Sequence, residues 1–207
     1  MEPVRAGADV WSGGQSPFGI GSKKFGMWLF IASDSLTFAT MLVVYTFMRV
    51  ASPTWPAPFA FSPSILFSTL MTLVLLSSSL TMVYAVGAMH NGDRAKTVKM
   101  LLATIACGAL FVVLHLFEWR HLMIDEKVLP WSNPWGVPLF GATFFGITGL
   151  HMLHVTAGVI YLGIVAAGVS RGRYTDEDVE VSGLYWHFVD LVWMFVFPMI
   201  YLMSVKG

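Results

Sequence analysis

Histidine and a second polar group recur three residues apart in stretches that are otherwise apolar. His187 and Asp190 stand in YWHFVDLVWMF, His115 and Glu118 in LHLFEW, and His151 and His154 in GLHMLHV. At that spacing both side chains of a pair share one helical face. Asp34 stands without a histidine in FIASDSLTFA. Carboxyl and imidazole groups can hold or pass protons, and imidazole can ligate a metal or a haem iron. An ionisable residue inside an apolar run is costly, and by default it faces protein or water rather than lipid. Two ligands on one helix make half a metal site. Histidines on three successive segments leave a haem or metal centre open on composition alone. The plainer alternative for Asp34 is packing, with Ser33, Ser35 or a neighbouring helix as partner.

The elements that must position these groups are membrane helices. Of 207 residues, 56% are hydrophobic and 12% charged, against about 25% charge in soluble domains. Mean hydropathy is +0.70. Five apolar segments run roughly Gly26–Arg49, Pro63–Met89, Arg94–Trp119, Pro138–Ser170 and Gly183–Val205. Each meets the ~20 residues needed to cross a bilayer. The fold expected is an all-α, polytopic bundle of five transmembrane helices over residues 26–205, behind a polar N-terminal tail, residues 1–25. That tail has no apolar core and does not read as a signal peptide. Zero net charge and the lack of a basic stripe argue against a nucleic-acid partner. The single cysteine, Cys107, excludes an intrachain disulfide and reads as a packing residue.

Local signals refine this plan. Ser64, Ser68, Thr72 and Ser77–Ser79 put small hydroxyls on the second segment, suited to close helix contacts. The pairs Ala142–Gly146 and Gly163–Ala167 suggest tight packing by the fourth. Asn91-Gly92 marks a turn, with Asp93 as N-cap of the third segment. Trp131 and Trp135 read as interfacial anchors, RGRYTDEDVE as a solvated loop, and Pro198 predicts a kink near the end.

Positive charge predicts orientation. With the N-terminus inside, Arg5, Lys23, Lys24, Arg94, Lys96, Lys99, Arg171 and Arg173 are cytoplasmic, and Arg49, Arg120, Lys127 and Lys206 are external. The excess favours N-in, C-out. Asp34 then lies about 12 Å into its helix at ~1.5 Å per residue. His187 and Asp190 lie at similar depth, which predicts an inner polar layer of Asp34, His187 and Asp190 that could hold or relay protons. His151 and His154 fall near the middle, and His115 and Glu118 near the outer face.

Several stretches, in order, resemble subunit III of the haem–copper terminal oxidases. Phe25-Gly26-Met27-Trp28-Leu29-Phe30-Ile31-Ala32-Ser33-Asp34 is similar to the first helix shared by that family. Leu75-Leu76-Ser77-Ser78 is similar to its second, and Gly92-Asp93-Arg94 to the turn into the third, at whose end Glu118 matches a carboxylate. Thr143-Phe144-Phe145 and Gly149–Val155 resemble the fourth, and Trp186-His187-Phe188-Val189-Asp190 the last. The resemblance covers about Lys24 to Leu202. It implies a non-catalytic subunit of a proton-pumping cytochrome c oxidase of the aa3 or caa3 kind, in a bacterial inner membrane. Such a subunit stabilises subunit I and supports its proton uptake during reduction of dioxygen to water. No haem, copper or other metal would be bound by this chain, since the haems and copper belong to partner subunits. The partners implied are subunits I and II, membrane lipid, and cytochrome c or quinol at the level of the complex.

Two features depart from the family. Many members have seven helices, and the first two have no counterpart here, so a phospholipid cleft bounded by them is not carried over. The family often has Glu where this chain has Asp34, and Asp occurs in some quinol-oxidising members. Subunit III of a quinol oxidase, or an accessory subunit of a nitric oxide reductase, is therefore the nearest alternative. A haem b or metal membrane enzyme and a proton-coupled transporter are more distant ones. Five spans without an obvious repeat count against the transporter.

Overall fold

A computed structural model describes residues 21–205. Most of the expected N-terminal tail lies outside the described residues. Within them the chain forms five long helices: α1 (Ser22–Ala51), α2 (Leu66–His90), α3 (Arg94–Ile124), α4 (Pro138–Ser170) and α5 (Asp176–Val196). All five are long and apolar enough to cross a membrane, α5 together with the turns that carry it to Ser204. The fourth helix has the limits predicted for it. The first starts four residues ahead of its apolar run, and the fifth starts seven residues ahead.

Local chemistry sets the ends. Asp93 caps α3 by accepting from the Lys96 backbone N–H at 2.9 Å, as its position predicts. Gly92 turns the chain at φ 75°, a region glycine enters without steric cost. Pro138 opens α4, where its missing donor costs nothing. Thr175 and Asp178 form a reciprocal capping box at α5. Ser62 precedes Pro63 and is extended (φ −122°, ψ 131°), because the proline ring disfavours helical geometry before it. The irregularity predicted at Pro198 is a π turn over Phe197–Tyr201, followed by a short 3-10 turn. The ring cannot donate the next helical hydrogen bond, so the winding opens there.

Helices α2, α3, α4 and α5 pack as a closed ring of four, each against two neighbours, and α1 lies outside against α4 and α5. In the most apolar window of α5, 50% of residues are buried, against 11% in α1. The last helix is thus the interior wall and the first is the edge. Trp186 is the ring's centrepiece. Fully buried, it donates its indole N–H to Ser78 of α2 at 2.9 Å. Its ring lies against Gly108 of α3 and Gly158 of α4, and at either position a Cβ would collide with it. These are the glycines that permit close approach. At Gly146 and Gly163 an added Cβ would meet nothing within 4 Å, and Ala142, Gly146 and Ala167 are exposed. The small-residue pairs predicted to pack α4 therefore do not make its close contacts, and Gly158 does.

The hydroxyls of α2 stand at helix contacts, where packing was expected of them, and they also bond across. Besides Trp186 to Ser78, Trp193 donates to Thr72 at 3.0 Å and His187 pairs with Ser79 at 2.7 Å. Thr81 bonds Thr104 of α3 at 2.7 Å. Indole N–H groups inside a membrane need an acceptor, and α2 supplies both, at Ser78 and Thr72. At the N-terminal end of the bundle, Lys23 pairs with Asp178 at 2.6 Å, Lys24 with Glu180 at 2.5 Å and His90 with Asp176 at 2.8 Å. At the C-terminal end, Tyr45 bonds Ser204 at 3.1 Å, and Arg49 donates to Ser204 and to the Met203 carbonyl.

Candidate functional site

The buried ionisable groups sort by the faces of α5. On the side facing α1 and α4, Asp34 meets His154, with Nε2 3.2 Å from Oδ2. Both side chains are mostly buried. The imidazole Nδ1 lies 2.8 Å from the Leu150 carbonyl one turn earlier. A carbonyl only accepts, so Nδ1 must carry hydrogen. Nε2 is then either a lone pair or a second N–H. The contact is not aligned as a hydrogen bond, so Asp34 Oδ2 is buried without a hydrogen-bond partner, and a turn of either side chain brings the pair to share one proton, on the carboxyl beside neutral imidazole or on imidazolium beside carboxylate. Phe38 packs edge-on to His154 at 5.4 Å, and the Tyr185 hydroxyl donates to the His154 carbonyl at 3.0 Å. This holds the α4 backbone against α5 just where the imidazole projects.

On the side facing α2, His187 Nδ1 pairs with the Ser79 hydroxyl. Asp190, one turn further on, is 5% exposed, and both its carboxyl oxygens are buried without a hydrogen-bond partner. Ser79 lies beside this carboxyl too, but its close contact is with His187. Depth along the sequence groups Asp34 with His187 and Asp190. The structure instead pairs Asp34 with His154, which was placed in a middle layer, and gives His187 and Asp190 to α2.

Nearer the C-terminal end, His115 and His151 are both fully buried around Trp193, with ring centroids 5.5 Å and 4.8 Å from the indole. His151 Nε2 donates to the Val189 carbonyl at 3.1 Å. Its Nδ1 and both nitrogens of His115 have no partner. Glu118 accepts from Ser68 at 2.6 Å and from Tyr201 at 2.7 Å, joining α2, α3 and the end of the chain. Among the described residues, no three His, Cys, Asp or Glu side chains are grouped so that they could hold a metal ion.

Sequence reasoning treated Ser79 and Ser68 as packing hydroxyls and passed over Tyr185 and Tyr201. The signal available for Ser79 is its place in the Ser77–Ser79 run. Counting back along an antiparallel α2 from the Asn91-Gly92 turn brings it level with His187. No periodicity signals the pairing of Asp34 with His154, because that needs the order of helices around the ring.

The fold and these groups define a polytopic membrane bundle built around buried carboxyl and imidazole groups. The sequence family described as cytochrome c oxidase subunit III matches residues 10–205, and the chain belongs to it. It is 32% identical over 194 residues to cytochrome c oxidase subunit 3 of Bacillus subtilis (strain 168), covering 90% of this chain and 89% of that protein. It is also 32% identical over 189 residues to cytochrome bo(3) ubiquinol oxidase subunit 3 of Pseudomonas putida, covering 87% and 85%. The quinol oxidase subunit 3 of Bacillus subtilis (strain 168) is 32% identical over 187 residues, covering 88% and 87%. The protein is thus a multi-pass subunit III of a haem–copper oxidase, part of a multi-subunit oxidoreductase.

Proposed function

We propose that the chain is the non-catalytic subunit III of a proton-pumping cytochrome c oxidase of the aa3 or caa3 kind. It stabilises subunit I, contacts subunit II, and keeps proton uptake into subunit I efficient as dioxygen is reduced to water. The haems and copper are held by the partner subunits. The protein lies in a bacterial cell membrane with its N-terminal tail inside and its C-terminus outside, in accord with the positive-charge bias. The observation that carries a proton role is the Asp34–His154 contact at 3.2 Å. It joins the edge helix to the bundle through a pair that can share one proton. His187 and Asp190 supply further proton-holding groups at comparable depth.

Asp34→Asn tests this reading in the assembled oxidase. The substitution nearly preserves shape and keeps hydrogen-bonding capacity. Assembly and haem content should stay at wild-type level, while turnover slows at high pH, where protons are scarce, or the enzyme's working life shortens. Wild-type rate, pH profile and lifetime in a fully assembled variant would make the pair structural. A companion measurement is metal analysis of the chain purified without partners, which should show no stoichiometric iron or copper.

The equal identity to relatives named quinol oxidase subunit 3 favours a second reading, in which the same subunit serves a quinol-oxidising complex. Purifying the complex that contains this chain and assaying it with reduced cytochrome c and with quinol decides between them.

A further inference from the structure

A groove of about 500 Å³ opens between the N-terminal parts of α5 and the last turns of α2. His90, Asn91 and Glu180 line it with Val83, Val86, Leu184 and His187, and His187 lies about two turns beyond Glu180 along α5. Gly87 and Gly183 make the space. A Cβ at Gly87 would meet nothing within 4 Å, and one at Gly183 would touch Met82 and Val86 at 3.3 Å. Behind His187 stand the Ser79 hydroxyl, 2.7 Å from Nδ1, and then the Asp190 carboxyl with both oxygens buried and unpartnered. Trp186 and Trp193, bonded to Ser78 and Thr72, fence this carboxyl one turn to either side. A buried carboxyl without a hydrogen bond is costly. Of the residues lining the groove, His187 is the one that bonds the Ser79 hydroxyl beside this carboxyl.

We propose that the α2–α5 groove is a water-filled inlet through which Asp190 exchanges protons with the aqueous phase at the N-terminal end of the bundle, by way of His187 and Ser79. Water in the groove gives a proton to Nε2 of His187. Nδ1 then gives its own to the Ser79 oxygen, and the hydroxyl, turning from His187 to Asp190, passes a proton to the carboxylate. Each step breaks one bond to hydrogen and forms one, and a flip of the imidazole resets the relay. The charged and titratable groups around the path are His90 from α2, Asp176 and Glu180 from α5, and Lys24 from α1, which is held by Glu180. Asp34 has no part in this route, since it faces His154 on the other side of α5. The inference rests on reading His187 and Asp190 as proton-holding groups.

Infrared difference spectroscopy of the assembled, resting oxidase in light and heavy water tests it. The stretch of a protonated carboxyl shifts when deuterium enters, and the band missing from Asp190→Asn is that of Asp190. Gly87→Phe plugs the groove, and Ser79→Ala cuts the relay behind it. Exchange of the Asp190 band should slow in both on the order of a hundredfold, the scale on which loss of a positioned proton carrier is felt. The Asp34 band, identified by Asp34→Asn, should keep its rate. Where Gly87→Phe fails to assemble, Gly87→Cys in a Cys107→Ser background is plugged after assembly with a benzyl thiol reagent. A missing Asp190 band, or wild-type exchange with the groove plugged, overturns the inlet. Slowing in the plugged protein but not in Ser79→Ala overturns the relay and keeps the inlet. The complex is at rest, so the result stands whichever way the turnover test of Asp34 falls.

Discussion

Asp34 and Asp190 are carboxyls at similar depth from the N-terminal end, and they lie on opposite sides of α5. Asp34 is about 18 Å along α1 from Ser22, and Asp190 about 21 Å along α5 from Asp176, at ~1.5 Å per residue. One faces an imidazole whose other nitrogen is anchored to a carbonyl, between the edge helix and α4. The other sits inside the four-helix ring with both carboxyl oxygens buried and unpartnered, behind a hydroxyl and a histidine. Residue type and depth are nearly the same, so the neighbours make the difference. Those neighbours come from helices far apart in the chain.

The comparison breaks most completely if the wall between the two sides is removed. Trp186 fills the space between α2, α3 and α4 on the α5 face that separates Tyr185 from His187. Trp186→Ala should destabilise the subunit by about 3–5 kcal/mol, the usual cost of deleting a large buried aromatic. Thermal release of this chain from the purified complex would show the loss. Retention at the wild-type temperature would mean that the ring does not depend on its centrepiece.

A double-mutant cycle sharpens the comparison. Asp34→Asn combined with His154→Gln should be non-additive by about 0.5–3 kcal/mol in thermal stability, as for residues in contact. Asp34→Asn combined with His187→Gln should add within about 0.5 kcal/mol, as for separate sites. The reverse result would restore the inner layer that depth alone suggests and would refute the geometry.

That contrast marks how far the sequence could be read. The five spans follow from apolar runs of bilayer length, and both ends of α4 were legible because Pro138 and the basic RGR turn punctuate them. Asp93 and Pro198 act as their chemistry requires. Depth was legible too, since it is a count along one helix. Azimuth was not. Which face meets which helix depends on the closed order of α2, α3, α4 and α5 and on the outside seat of α1, and a one-dimensional pattern does not encode that order. Depth alone therefore gives no sign that His154, at the middle of α4, turns toward Asp34. Ala142–Gly146 looked like a packing pair although it faces outward, while Gly108 and Gly158 take the Trp186 ring.

A smaller effect is expected at Trp193, which borders Asp190 on its other side. Trp193→Phe keeps most of the ring and deletes the N–H that reaches Thr72 at 3.0 Å. Interhelical hydrogen bonds in membranes average about 0.6 kcal/mol, so the melting temperature should fall slightly with turnover unchanged. A large loss would mean that the indole N–H, more than the aromatic packing with His115 and His151, holds α5 to α2.

The smallest effect belongs to the N-terminal seam of the edge helix. Lys24 of α1 reaches Glu180 of α5 at 2.5 Å, with 35% and 36% of the side chains exposed. Ion pairs of this exposure contribute about 0–1 kcal/mol and weaken with salt. The opposite end of α1 is better held, by Tyr45 and Arg49 on Ser204 and the Met203 carbonyl. Lys24→Ala should therefore lower the stability of α1 docking by less than about 1 kcal/mol at low salt, and the difference from wild type should vanish at high salt. Backbone hydrogen exchange over residues 22–30 measures this. If the variant opens that segment strongly and salt does not reproduce the opening in the wild type, the pair is no surface contact. The docking of α1, and with it the approach of Asp34 to His154, would then depend on a charge at the rim.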